Sequence, residues 1–139
     1  KKYVNRISGP LLDRIDIHIE VPALEYKELS TDTSGEPSAS IRQRVETARR
    51  VQFGRFRGSG NFFNAGMNAR QLKTHCVIDA VAKNILGLAI DKMGLSARAH
   101  DRILKVARTI ADLAGEENLA PGHIAEAIQY RSLDREDWA

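Results

Sequence analysis

Apolar and polar residues alternate strictly from Ile15 to Val21. Ile15, Ile17, Ile19 and Val21 fall on one side, and Asp16, His18 and Glu20 on the other. A period of two in β-branched residues predicts a half-buried strand, and Pro22 stops it. A short helix ending in Asp13-Arg14 leads directly into this strand, so the junction holds a guanidinium at the rim of a domain. Such a group suits contact with a phosphate on a neighbouring molecule, because Arg stays charged and offers a planar fork of donors. The plainer alternative is a surface pairing of Arg14 with Asp13 or Asp16. No second strand pattern follows, so this segment either pairs outside the chain or stays loose. Residues 23–37, with Ser30, Thr31, Asp32, Thr33, Ser34, Gly35 and Pro37, have the composition of a linker.

Beyond the linker the period changes to that of a helix. Ile41, Val45, Ala48 and Val51 or Gln52 predict a helix from Ser40 to Phe53, capped by Ser38 or Ser40, with arginines on its other faces. The stretch from Gly54 to Asn68 holds four glycines and three asparagines and predicts a loop, with Phe56, Phe62 and Phe63 tucked against the helices. A second helix is predicted from Thr74 to Met93, burying Val77, Val81, Ile85, Leu88 and Ala89 and ending at Gly94. A third follows the N-cap Ser96 and stops at Gly115, with Ile103, Val106, Ala107, Ile110, Leu113 and Ala114 on one face. A fourth opens with Pro121 and buries Ile124, Ala127 and Ile128. Short connections make neighbouring helices antiparallel, as in a bundle. The charged tail after Arg131, with Trp138, is expected to fray.

The chain of 139 residues is long enough for one domain with a core, and 42% apolar with 28% charged residues is ordinary globular composition. No apolar run approaches the ~18 residues of a membrane helix. The single cysteine, Cys76, fits a reducing compartment, so a cytoplasmic location is expected. The first residue is Lys1, and the opening falls inside a motif, which points to a piece of a longer protein. Net charge is +3, but from Ser38 to Arg57 six arginines (Arg42, Arg44, Arg49, Arg50, Arg55, Arg57) face one acid, Glu46. That local excess favours a phosphate-rich partner. A solvated helix face is the competing explanation.

Three segments carry a resemblance. Ile7-Ser8-Gly9-Pro10-Leu11-Leu12-Asp13-Arg14-Ile15-Asp16, continuing to Pro22, looks like the end of the ATPase core of the magnesium-chelatase-like AAA+ proteins. Gly94 to Leu113 resembles their nucleotide-sensing lid helix, and Ile124 to Arg135 their closing helix. The resemblance implies a mainly α fold: residues 1–22 are the end of the ATPase core, 23–37 a linker, 38–131 a four-helix bundle-like lid, and 132–139 a flexible tail. It places Arg14 at the arginine finger that reaches the γ-phosphate on an adjacent ring subunit, with Arg6 as second candidate. It places Arg98 at the second sensor of the lid, with Arg102 one turn later as runner-up. A cation in the first turn of a helix is slightly disfavoured by the macrodipole, which suggests a role other than stability for Arg98. It further implies ATP and magnesium as cofactors of the full-length protein, a homo-oligomeric ring such as a hexamer, and a motor that promotes branch migration of DNA during uptake of foreign DNA.

No Gly-rich phosphate loop ending in Lys-Ser or Lys-Thr is found, nor an apolar strand ending in Asp-Glu, so this piece alone is not expected to bind or hydrolyse ATP. No metal site is expected: His75 and Cys76 point about 100° apart on a helix, and His100 and His123 lack partners at ligand spacing. Two other readings compete with the motor. One is a nucleic-acid-binding helical module using Arg42, Arg49, Arg50, Arg55 and Arg57 with Phe56, Phe62 and Phe63. The other is the ATPase subunit of a magnesium chelatase.

Overall fold

A computed structural model describes residues 9–12, 14–23 and 35–131. In chain order the elements are α1 (Gly9–Leu12), α2 (Ser38–Arg55), a 3-10 turn (Asn64–Gly66), α3 (Ala69–His75), α4 (Ala80–Met93), α5 (Ala97–Ala114) and α6 (Pro121–Gln129). The described chain is mainly helical, as expected for a lid domain.

Helix α5 is the axis of the core. Ala99, Ile103, Ala107 and Ala111 recur every fourth residue and are fully buried, so one stripe of small and branched side chains lets neighbours approach closely. Ser96 starts it by accepting the Ala99 N–H at 3.2 Å, and Gly115 ends it at φ 74°, where a side chain would be strained. Helices α2, α3 and α6 pack on α5, and α4 packs on α6. Phe56, Met67, Leu72, Leu86, Leu104 and Ile124 fill the space between them.

Within the helical part, three expectations about elements and packing need correction. The predicted helix from Thr74 to Met93 is two helices, α3 and α4, interrupted at 76–79. Asn68 opens α3 with a capping box: its carboxamide oxygen accepts the Gln71 N–H at 2.9 Å, while the Gln71 side chain accepts the Asn68 N–H at 3.1 Å. Asp79 then caps α4 by accepting the Ala82 N–H at 2.7 Å. The break leaves Val77, Val81 and Leu88 exposed, and Ala82 and Leu86 become the buried positions. Helix α2 begins at Ser38 behind Pro37 with no side-chain cap, and of its apolar stripe only Ala48 and Gln52 are buried; Ile41, Val45 and Val51 are exposed. Of the three loop phenylalanines, Phe56 is buried, with its ring edge-to-face against His75 at 5.6 Å, while Phe62 and Phe63 are exposed.

Residues 15–21 form no strand. Among the described residues there is no neighbouring strand to complete a ladder. The segment instead lies against the helices, and its alternation is inverted: His18 is buried, while Ile15, Ile17, Ile19 and Val21 are exposed. Arg6, most of the expected linker and the tail with Trp138 lie outside the described residues.

Candidate functional site

The Arg14 turn is held against the lid by three contacts from the residues that follow it. Asp16 forms an ion pair with Arg102 of α5, with the Asp16 and Arg102 side chains 41% and 27% exposed. The His18 N–H donates to the Tyr130 carbonyl at 2.7 Å. Arg131, itself buried, donates from Nη1 to the Ile15 carbonyl. The His18 ring is buried, and neither ring nitrogen has a hydrogen-bond partner among the described residues. Arg14 donates its own backbone N–H to Leu11 O at 3.0 Å, closing the turn after α1, and its side chain is exposed.

Arg14 has no side-chain partner among the described residues. Of the two acids that could neutralise it, Asp16 is paired with Arg102 instead, and Asp13 lies outside the described residues. Arg98 is also exposed and without a side-chain partner among the described residues, one turn before Arg102 on the same face of α5. The structure thus ties the Arg14 segment to the helix that carries Arg98, and it divides the two lid candidates: Arg102 is engaged and Arg98 is available. Arg102→Ala is expected to speed hydrogen exchange at the His18 amide in the isolated chain, and pairing Asp16→Arg with Arg102→Asp is expected to restore protection. Unchanged exchange in Arg102→Ala would show that the pair does not hold this segment.

A second charged cluster lies inside the domain. Arg55 Nη1 donates to Asp112 Oδ2 at 2.7 Å, with a second bond from Nη2 to Oδ1, and Nη1 also donates to Asn64 Oδ1 at 2.8 Å. Arg108 Nε donates to Asp112 Oδ1 at 3.2 Å, and its two terminal nitrogens donate to the carbonyls of Glu117 at 2.7 Å and Glu116 at 2.6 Å. Asn64 Nδ2 completes the set, donating to Asp112 Oδ2 at 2.8 Å and to the Thr109 hydroxyl at 3.0 Å. Burial alone would raise the Asp112 carboxyl, but the hydrogen bonds from Arg55 and Asn64 and the charges of Arg55 and Arg108 outweigh it and hold it below its usual value. These bonds join residues of α2, α5 and the 3-10 turn, so the cluster braces their junction. Arg55 is therefore withdrawn from the basic surface. Arg108 and Asp112 were not singled out from the sequence, although their spacing of four residues on a helix is the available signal.

The other arginines of the run differ in their surroundings. Arg44 pairs with Glu36, with one bond of 3.0 Å. Arg42, Arg50 and Arg57 are exposed. Arg49 is half-buried, its guanidinium 5.7 Å from the Phe53 ring centre and 5.1 Å from that of Phe63.

Cys76 is buried, and burial pushes its thiol up to about 11. His75 is lowered, first by burial and then by the charges of Arg55 and Arg108. Among the described residues no three His, Cys, Asp or Glu side chains gather at metal-ligand distance, and no helix is long and apolar enough to cross a membrane.

Residues 35–131 match the family model described as magnesium chelatase, subunit ChlI C-terminal, and residues 1–29 match that of magnesium chelatase, subunit ChlI. The chain is 43% identical over 135 residues to the competence protein ComM of Haemophilus influenzae. It is 40% identical over 135 residues to the protein YifB of Escherichia coli. It is 34% identical over 131 residues to the protein Mb2921c of Mycobacterium bovis. These alignments cover 96%, 96% and 94% of this chain but only 26% of each relative.

Proposed function

The chain belongs to the magnesium chelatase subunit ChlI C-terminal family, and from that premise we propose that it is the end of the ATPase core and the lid of a ring-forming AAA+ motor that drives branch migration of DNA during natural transformation. The observation that carries this reading is the pair of exposed guanidinium groups, Arg14 and Arg98, without side-chain partners among the described residues, while Asp16 is occupied by Arg102. A cationic rim of this kind fits the phosphates of a nucleotide, and a neutralised Asp16 does not repel them. In the full-length ring, in the cytoplasm, magnesium-bound ATP would supply the scissile phosphoanhydride, gripped by segments this chain does not contain.

Each residue has a distinct role. Arg14 reaches across the subunit boundary and stabilises the charge that grows on the transferred phosphoryl oxygens. Arg98 binds phosphate from the lid, so that rotation of α5 follows nucleotide state. Arg102 carries no nucleotide charge and positions the Arg14 turn through Asp16. The ring is a homo-oligomer, a hexamer on the family resemblance. The similarity to a competence protein favours this reading over a chelatase subunit.

The test is ATP-dependent movement of a four-way DNA junction by the full-length protein, with an Arg98→Ala variant beside it. The expected result is junction movement by the wild type and an ATP KM raised by about tenfold or more in the variant, the loss of one charge-assisted phosphate contact. A junction left in place by a wild type that hydrolyses ATP would overturn the DNA assignment. An unchanged KM would overturn the role of Arg98.

A further inference from the structure

Helix α2 and the loop after it place cations and aromatic rings together on a surface. Arg42, Arg49 and Phe53 are spaced by seven and four residues and so share one face of α2, with Arg50 beside them. Phe63 comes from the loop to the same arginine, so the Arg49 guanidinium lies 5.7 Å from the Phe53 ring centre and 5.1 Å from that of Phe63. Phe53, Phe62 and Phe63 are 51%, 59% and 41% exposed, so the rings keep free area after packing on the arginine.

The loop that presents them is ordered by its own bonds. Gly58 and Gly60 take positive φ angles, and the Ser59 hydroxyl donates to the Phe56 carbonyl at 2.7 Å. Asn61 accepts the Phe62 N–H at 2.8 Å while its carboxamide lies against Gly66, where any Cβ would strike it. Phe56 anchors the loop in the core. The backbone that carries Phe62 and Phe63 is thus ordered before any partner arrives, which lowers the ordering cost of binding.

The charge of this surface is also unbalanced. Arg44 is spent on Glu36 and Arg55 on Asp112, which leaves Arg42, Arg49, Arg50 and Arg57 against the single acid Glu46. Exposed rings among unneutralised arginines fit a strand that offers both anionic phosphates and open base faces. A duplex keeps its base faces covered by stacking, and an apolar protein surface would leave the arginines unmatched.

We propose that Phe53, Phe62 and Phe63, with Arg42, Arg49, Arg50 and Arg57, form a binding surface for single-stranded DNA, on which bases stack against the phenylalanine rings and phosphates meet the arginines. Arg49 lies against both Phe53 and Phe63, and both rings stay partly exposed. The choice of DNA rests on the motor reading, whereas the surface needs no nucleotide to work. Arg14 can therefore fail its own assay without touching this one, and the reverse holds equally.

The test is fluorescence anisotropy on the full 139-residue chain with a labelled oligothymidine of about 15 nucleotides. The comparison ligands are an abasic strand of the same length, the matching duplex, the matching RNA and heparin. The thymidine strand is expected to bind about tenfold or more tightly than the abasic strand and than the duplex. Phe62→Ala, at the most exposed ring and so least able to disturb folding, and Phe63→Ala are each expected to weaken it severalfold without weakening the abasic strand. Arg50→Ala and Arg57→Ala are each expected to lower the slope of log affinity against log salt by about one. Equal binding of intact and abasic strands, or of heparin at the same affinity, would reduce the surface to charge alone and overturn the proposal. Tighter binding of the duplex or of RNA would overturn the assignment to single-stranded DNA, and so would no binding at low salt.

Discussion

Asp112→Ala is expected to destabilise the domain by about 3–5 kcal/mol, because it leaves two inward-facing guanidinium groups without their counter-ion. Arg108 is 3% exposed and Arg55 is half-buried, and both direct donors at this one carboxylate. Removing it also takes one of the two acceptors of the Asn64 amide, leaving the Thr109 hydroxyl, and loosens the 3-10 turn that Asn64 opens. Small domains are stable by about 5–15 kcal/mol, so this single change consumes much of the margin. Urea unfolding followed by circular dichroism measures it, and a loss below about 1 kcal/mol would show that the cluster contributes little. The same carboxyl predicts an acid limb. Its pKa is held below the usual value in the fold, so its contribution is complete above the unfolded value of about 4 and disappears as pH falls through the folded value. The Asp112→Asn protein should show a flatter stability profile across that window.

The largest functional effect is expected at Arg14. If the proposed role holds, Arg14→Ala in the full-length protein should lower kcat for ATP by about a thousandfold or more, the range measured for arginine fingers in phosphoryl-transfer enzymes. The ATP KM should change little, because the side chain acts on charge that develops in the transition state. Arg14→Lys should recover only part of the loss, since one ammonium cannot reproduce the planar fork. Steady-state kinetics at saturating ATP decide the matter, and a kcat within tenfold of wild type would remove Arg14 from the chemistry.

Much of the lid was legible from spacing alone. Helix α5 declared itself through Ser96, Gly115 and the buried Ile103, Val106 and Ala107, although Leu113 and Ala114, read on the same face, are exposed and the buried stripe continues through Ala111 instead. Helix α6 did so through Pro121 and the Ile124, Ala127 and Ile128 face. Helices α3 and α4 were misread because apolar Val77 and Val81 sit at a helical interval. The caps Asn68 and Asp79, which carry the boundary, are polar residues that a search for apolar stripes passes over.

The strand prediction failed for a different reason. Alternation between Ile15 and Val21 reports what a sheet would require, but a strand exists only when a second one completes its hydrogen bonds. Here the backbone finds Tyr130 and Arg131 instead, and the face it buries is the one with His18. Charge was hardest to read. Arg55 belongs to the same run as Arg42 and Arg57, and nothing local marks it as an inward residue; its partner is 57 positions away. The reverse holds for Arg102, whose engagement with Asp16 depends on a contact across 86 positions.

The central claim, that Arg14 completes a nucleotide site on the neighbouring subunit, is tested most directly by mixing. Full-length Arg14→Ala subunits are combined with subunits whose phosphate-binding loop has been disabled, each inactive alone, and ATP turnover is followed as the ratio varies. Turnover well above the sum of the two parents is predicted, because mixed boundaries join an intact loop to an intact arginine. A mixture that never exceeds that sum at any ratio, in rings shown to be mixed, would contradict it.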